Sequence, residues 1–151
     1  MKRARLATQS RVHLDERLKE IGPVSRYTPP VKGWIRAVRE ALGMTAEQLG
    51  RRLGVKQSSV VLLEQSEAKG SIELATLRRV AEALDCTLVY AFVPKQSLEE
   101  TVRARARKFI RRRLAPVEHS MLLEDQQVQG KAEEERIDEV LRETSPSKFW
   151  E

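Results

Sequence analysis

The chain has 151 residues and a single cysteine, Cys86. One thiol excludes an intrachain disulfide and any cysteine-based zinc site. Histidine is nearly as scarce, with His13 and His119 the two in the chain, so neither a metal site nor any other cofactor is expected. Aromatic residues make up 5% of the sequence, which allows a core but a small one. No apolar run approaches the ~20 residues needed to cross a bilayer. The opening M-K-R-A-R-L has basic residues without the apolar stretch of a secretory leader, which points to the cytoplasm. The sequence also lacks a Ser/His/Asp arrangement, a phosphate-cradling glycine loop and a metal-ligand cluster, so no enzymatic activity is expected. His119 beside Glu118 reads as a solvated histidine in a polar turn. Cys86 ends an apolar stripe and reads as a core residue, and Trp34 reads as a core or linker anchor.

Charge is plentiful. A third of the residues are charged, and the net charge is +6. It is unevenly spread. Residues 1–36 carry nine basic and three acidic side chains, and 37–93 carry seven of each. Residues 94–114 carry eight basic and two acidic, and 115–151 carry four basic and ten acidic. Two basic blocks thus flank a neutral one, and an acidic tail follows. Basic surface suggests an anionic partner, usually nucleic acid. The tail suits either a basic partner or the basic helix of the same chain.

The periodicity predicts a mainly helical chain. Residues 3–20 read as an exposed basic helix, stopped by Gly22 and Pro23. The stretch 22–30 (G-P-V-S-R-Y-T-P-P) reads as a linker, because each proline removes a donor and disfavours helix before it. Ile35, Val38 and Leu42 form the stripe of a helix ending at Gly43. Thr45 and Gln48 make a capping box for a short second helix with Leu49 and Leu53 inward. Gly54 stops that helix at a tight turn. A third helix starts near Gln57 with Val60 and Leu63 inward, and Leu74, Leu77, Val80, Ala81 and Leu84 give a fourth. Residues 87–94 (T-L-V-Y-A-F-V-P) are β-branched and aromatic and read as one strand. The chain offers no other good strand, so pairing across a dimer is expected. Ser97 and Glu100 make a second capping box, opening an arginine-rich helix to about Leu114. Beyond Pro116, a short helix over 119–128, an interruption at Gly130 and an acidic helix over 133–143 are expected. The last residues are expected to fray unless Phe149 and Trp150 dock. Four segments follow: 1–30, a basic helix and linker; 31–86, the central helical domain; 87–94, the strand; 95–151, a helical region with an acidic tail.

The function signal lies in M-T-A-E-Q-L-G-R-R-L-G-V-K-Q-S-S-V-V-L-L-E-Q. It encodes a capped short helix, a glycine turn and a second short helix, which is helix-turn-helix geometry. Gly50 is small where the two helices approach, and Val55 can plug the turn. Over 31–84 the chain resembles the Cro/phage-repressor (XRE) helix-turn-helix family, through the spacing of Leu49, Gly54, Val60, Leu63 and Glu64. The resemblance implies a lambda-repressor-like bundle whose third helix enters the major groove of double-stranded DNA. It implies Gln57 and Ser58 as base-reading residues; Leu62, one turn after Ser58 on the groove side, departs from the family pattern and is either a further base-reading residue or part of a protein interface. Gln can bond adenine in bidentate fashion, Ser can contact several bases, and Leu can meet a thymine methyl. It implies Thr45, Lys56, Ser59, Gln65 and Lys69 along the DNA backbone, and an Arg39–Glu64 pair tying the first helix to the third. Val61 and Leu62 stand where that family is often polar, and the neutral charge of 37–93 leaves much of the phosphate attraction to the flanks.

The resemblance extends further. A basic first helix precedes G-W-I-R-A-V-R-E-A-L-G-M-T, then L-R-R-V-A-E-A-L-D-C-T-L-V-Y-A-F-V-P, S-L-E-E-T-V-R-A-R-A and V-E-H-S-M-L-L-E-D-Q. Over nearly its whole length the chain looks like the bacterial mobile mystery protein A family. That likeness implies an autoregulatory, antitoxin-like partner of a Fic-domain protein. Fic inhibitors resemble one another in Ser/Thr-x-x-x-Glu-Gly/Asn. Ser120 and Glu124 match it, with Asp125 departing at the last position. The alternative is therefore a protein-binding inhibitor of a Fic AMP-transferase, with the helix-turn-helix mainly a scaffold.

Overall fold

The computed structural model describes residues 2–114 and 126–151. Its elements are α1 (Lys2–Lys19), a 3₁₀ turn (Val24–Tyr27), α2 (Trp34–Ala41), α3 (Ala46–Leu53), α4 (Gln57–Ala68), α5 (Leu74–Ala83), α6 (Leu98–Leu114), α7 (Gln126–Glu143) and a closing 3₁₀ turn (Pro146–Trp150). They fold as two compact units, residues 23–92 and residues 1–22 together with 93–151.

In the unit 23–92 local signals set each helix. Thr45 caps α3: its hydroxyl accepts from the Gln48 amide at 3.1 Å, and the Gln48 side chain accepts from the Thr45 amide at 2.8 Å. Gly54, with φ of 71°, closes α3 in the left-handed conformation. α2 ends one residue earlier than its apolar spacing suggests, at Ala41. The amides of Gly43 and Met44 bond back to the carbonyls of Glu40 at 2.9 Å and Arg39 at 3.0 Å. This termination turns Leu42 outward, so the third member of the expected stripe is exposed. Ile35, Leu49, Val60, Val80 and Leu84 form the core, with Val38, Leu53, Val55 and Leu63 packed on it. Each large apolar side chain fully buried there contributes roughly 1.5–3 kcal/mol.

Cys86 also departs from expectation. Asp85 takes a positive φ of 57° just past the end of α5, and Cys86 is exposed, its thiol donating to the Leu84 carbonyl at 3.4 Å. The strand expected over 87–94 is absent among the described residues: the segment is not in a helix or sheet, and no backbone bond engages its amides. A strand exists only through its ladder, and no other strand is present among the described residues for this segment to pair with.

The unit built from the chain ends packs α1 and α7 against α6. α1 belongs to this unit, and the proline-rich stretch from Pro23 belongs to the other. α6 is capped twice. The Ser97 hydroxyl accepts from the Glu100 amide at 3.1 Å, and the Asp15 carboxylate accepts from the Leu98 and Glu99 amides at 2.7 and 3.1 Å. Val102, Ala106, Ile137 and Phe149 make the core, and Phe149 meets Phe109 edge-on at 5.5 Å. The terminal residues therefore dock, with the Arg105 guanidinium 4.9 Å from the Trp150 ring. α7 runs unbroken through Gly130, which carries no crowding neighbour and so interrupts nothing; an exposed helical glycine costs only about 1 kcal/mol.

The acidic face of α7 lies on the basic face of α6. Arg103 reaches Glu134 at 2.6 Å and Asp138 at 2.8 Å, Arg107 reaches Glu134 at 2.7 Å, and Arg111 stands 3.6 Å from Glu133. The hydrogen bonds from Arg103 and Arg107 hold the Glu134 carboxyl below the usual glutamate range, and the bond to Glu134 raises Arg103.

Candidate nucleic-acid interface

α4 presents two faces of opposite character. At 100° per residue, Ser58, Leu62, Gln65 and Lys69 fall in one stripe, at i, i+4, i+7 and i+11. All four are exposed, Leu62 at 62%. Gln57 lies beside Ser58 in the first turn and is exposed as well, while Ser59 is half-buried at the edge of the core. The opposite face carries Val60, Leu63, Glu64 and Glu67 inward.

Lys56 stands at the N-cap in extended conformation and makes no side-chain cap bond. A Ser or Thr there would occupy an amide of the first turn; with lysine the Ser59 amide turns to the Lys56 carbonyl at 3.0 Å, the Gln57 and Ser58 amides take no side-chain cap, and a positive charge stands in front of them. Thr45 is exposed, but its hydroxyl oxygen and its amide are both engaged with Gln48, so it faces outward as part of the α3 cap.

Behind the exposed stripe, Arg39 of α2 grips α4. Its Nε donates to Glu64 Oε1 at 2.6 Å, its Nη2 to Glu64 Oε2 at 3.3 Å, and its Nη1 to the Met44 carbonyl at 2.9 Å. Glu64 is 7% exposed. This forked contact joins α2, the α2–α3 turn and α4 with every polar atom engaged.

A second carboxylate on the same inward face has no counterpart in the sequence reading. Glu67 accepts from the amides of Trp34 at 2.8 Å and Ile35 at 2.9 Å, capping α2 from 33 and 32 residues away. Gly33 makes room: its φ is 84°, and a Cβ there would meet Glu67 Oε2 at 2.6 Å. The nearest sequence signal is the glycine before Trp34, with no Ser, Thr, Asp or Asn at the cap. Gly50 has the same kind of function in the turn, where a Cβ would stand 2.7 Å from the Val55 carbonyl oxygen. The Val55 amide returns to the Gly50 carbonyl at 2.9 Å. Arg52 adds a tie to the end of α5, donating to the Ala83 carbonyl at 2.8 Å and to Asp85 at 3.0 Å. On α2, the bond from Arg36 lowers the Glu40 carboxyl.

Ser120 and Glu124 lie outside the described residues, as does His119. Among the described residues no group of His, Cys, Asp and Glu could hold a metal ion, and no helix is long and apolar enough to cross a membrane.

A capped short helix, a left-handed glycine turn and a second helix locked to its support by Arg39 define a helix-turn-helix domain. Residues 35–90 match the family model described as Helix-turn-helix. The match runs past α5 into the extended segment. Comparison with curated proteins and with solved structures finds no match.

Proposed function

We propose that this chain is a sequence-specific DNA-binding transcriptional regulator. The observation that carries the reading is the exposed stripe on α4, with Gln57 and Ser58 in its first turn and the rest of the helix anchored through Glu64. Gln57 then bonds an adenine edge, Ser58 reads beside it, and Leu62 meets a thymine methyl. Lys56, Ser59 and Thr45 lie against phosphates at the entry to the groove, and Gln65 and Lys69 follow the backbone farther along. The open amides of the α4 first turn favour an anion in front of Lys56. The regulator acts in the cytoplasm as a homodimer, with 87–94 of two copies paired, so two copies of α4 read half-sites about one helical turn apart.

The test is a mobility-shift titration against the DNA upstream of its own reading frame. Gln57→Ala weakens specific binding by roughly 1–3 kcal/mol and relaxes preference at one base position. Lys69→Ala weakens all sequences alike. If the protein binds an upstream palindrome no better than random duplex, the reading fails.

The likeness to mobile mystery protein A supports a finer reading, an autoregulatory antitoxin paired with a Fic-domain protein. In it Ser120 and Glu124 engage the Fic active site. The competing form of this reading makes Fic inhibition the main activity and the helix-turn-helix a scaffold. AMP transfer by the partner, measured with and without this protein, separates them, and Glu124→Gly should relieve inhibition while leaving DNA binding intact.

A further inference from the structure

The unit 23–92 has an apolar cavity of about 290 Å³ beside α2 and α5, lined by Trp34, Ile35, Val38, Leu77 and Leu84 and by residues 86–89 of the extended segment. Its one carboxylate, Glu67, is engaged by the α2 amides. Small-molecule sites run to ~300–1,000 Å³ with several convergent polar groups. This cavity is smaller, and besides the engaged Glu67 its polar lining is limited to side chains of Tyr27, Cys86 and Thr87. It suits an apolar side chain.

The segment 87–92 supplies one. It has no charged residue, its amides bond to no backbone carbonyl among the described residues, and Val89, Tyr90 and Phe92 are 82%, 63% and 89% exposed. Unpaired backbone flanked by large exposed apolar side chains is a surface that a second identical segment complements.

We propose that residues 87–92 pair antiparallel with the same segment of a second copy, Val89 opposite the partner's Val89, and that the partner's Phe92 fills the cavity beside α2 and α5. The inference rests on the dimeric reading above and assigns its register. In this register position 86 faces the partner's Phe92 and position 88 faces the partner's Tyr90. Directly opposed side chains lie on one face of the ribbon. Residues of both faces reach the cavity rim, but Leu88 is the half-buried one while Thr87 and Val89 are exposed, so the face of Leu88 is the one turned into the cavity, and the partner's Phe92 is delivered to that face. A shift of one residue would turn it to the face of Thr87 and Ala91. Two copies of Tyr90 and Phe92 bring roughly 600–1,000 Å² of aromatic surface. With Val89 and the rims of both cavities, the contact reaches the ~1,000 Å² expected of a specific interface.

The single cysteine makes the register testable. Opposed residues of an antiparallel pair have Cα atoms about 4.5–5.5 Å apart, within disulfide range. Cys86 of the two copies would be about 20 Å apart, since six residues separate positions 86 and 92. Full-length Phe92→Cys, oxidised with diamide, should give a covalent dimer on a non-reducing gel, and wild type should not. Sedimentation of Phe92→Ala should show a dimer dissociation constant raised at least tenfold, with Phe92→Leu closer to wild type. Phe92 is exposed in the single chain, so these variants leave the monomer fold intact, checked by circular dichroism. A wild-type dimer without a cross-link in Phe92→Cys overturns the inference and leaves the dimeric reading standing. Cross-linking of wild type through Cys86 alone overturns the register. A wild type that stays monomeric, free and on DNA, overturns both.

Discussion

Arg39 and Glu64 decide how firmly α4 is held. Glu64 is buried, and Arg39 satisfies both its oxygens. Removing the arginine leaves a buried carboxylate without its cation, and breaking such a pair destabilises by about 3–5 kcal/mol. Arg39→Ala should therefore lower the denaturant midpoint sharply, a larger loss than any change to the exposed stripe of α4. Glu67 and Gly33 form a coupled pair of a different kind. Glu67→Ala should cost about 1 kcal/mol, the usual worth of an N-cap. Gly33→Ala should cost at least as much, from its positive φ and from displacing the carboxylate. Because displacement already removes the cap, the double variant should lose less than the two single losses together, and thermal unfolding of all four proteins measures the difference.

At the scale of elements, α6 and α7 carry opposite charge on facing surfaces. Glu134 is held below its ordinary range by Arg103 and Arg107. A depressed carboxyl contributes stability that is present above its unfolded value, near 4.3, and is lost as pH falls through the lower folded value. The α6–α7 packing should loosen in that acid window. Emission of Trp150, which stacks on Arg105 of α6, should report it in a Trp34→Phe background. Glu134→Gln should remove most of the dependence. The two capping boxes, at Thr45 of α3 and Ser97 of α6, are legible in the sequence because each acts within three residues. The Asp15 cap on α6 spans 83 and 84 residues, and no local pattern announces it.

For the whole molecule, the net charge of +6 is a poor guide to where exposed positive charge resides. Three arginines of the basic block 94–114 are paired with α7 carboxylates, while Lys56 and Lys69 stand exposed on the helix-turn-helix. The salt dependence of operator binding should reflect this. Lys56→Gln or Lys69→Gln should reduce the slope of log K against log salt by about one. Arg103→Gln and Arg107→Gln should leave it nearly unchanged.

The sequence by itself determined the helix-turn-helix. Thr45 with Gln48, Gly54, the inward Val60 and Leu63 and the outward Gln57 and Ser58 are local signals, acting within a turn or two of helix, and the chain obeys them. It also determined which charges exist, without their partners. The tertiary structure decided those: that α7 carboxylates pair three arginines of α6, that Glu67 caps α2, and that Leu42 and Cys86 lie at the surface. It also left 87–92 without a strand to pair with. These outcomes depend on which distant segments the chain path brings together, and a ladder, an ion pair or a distant cap forms only when both halves arrive.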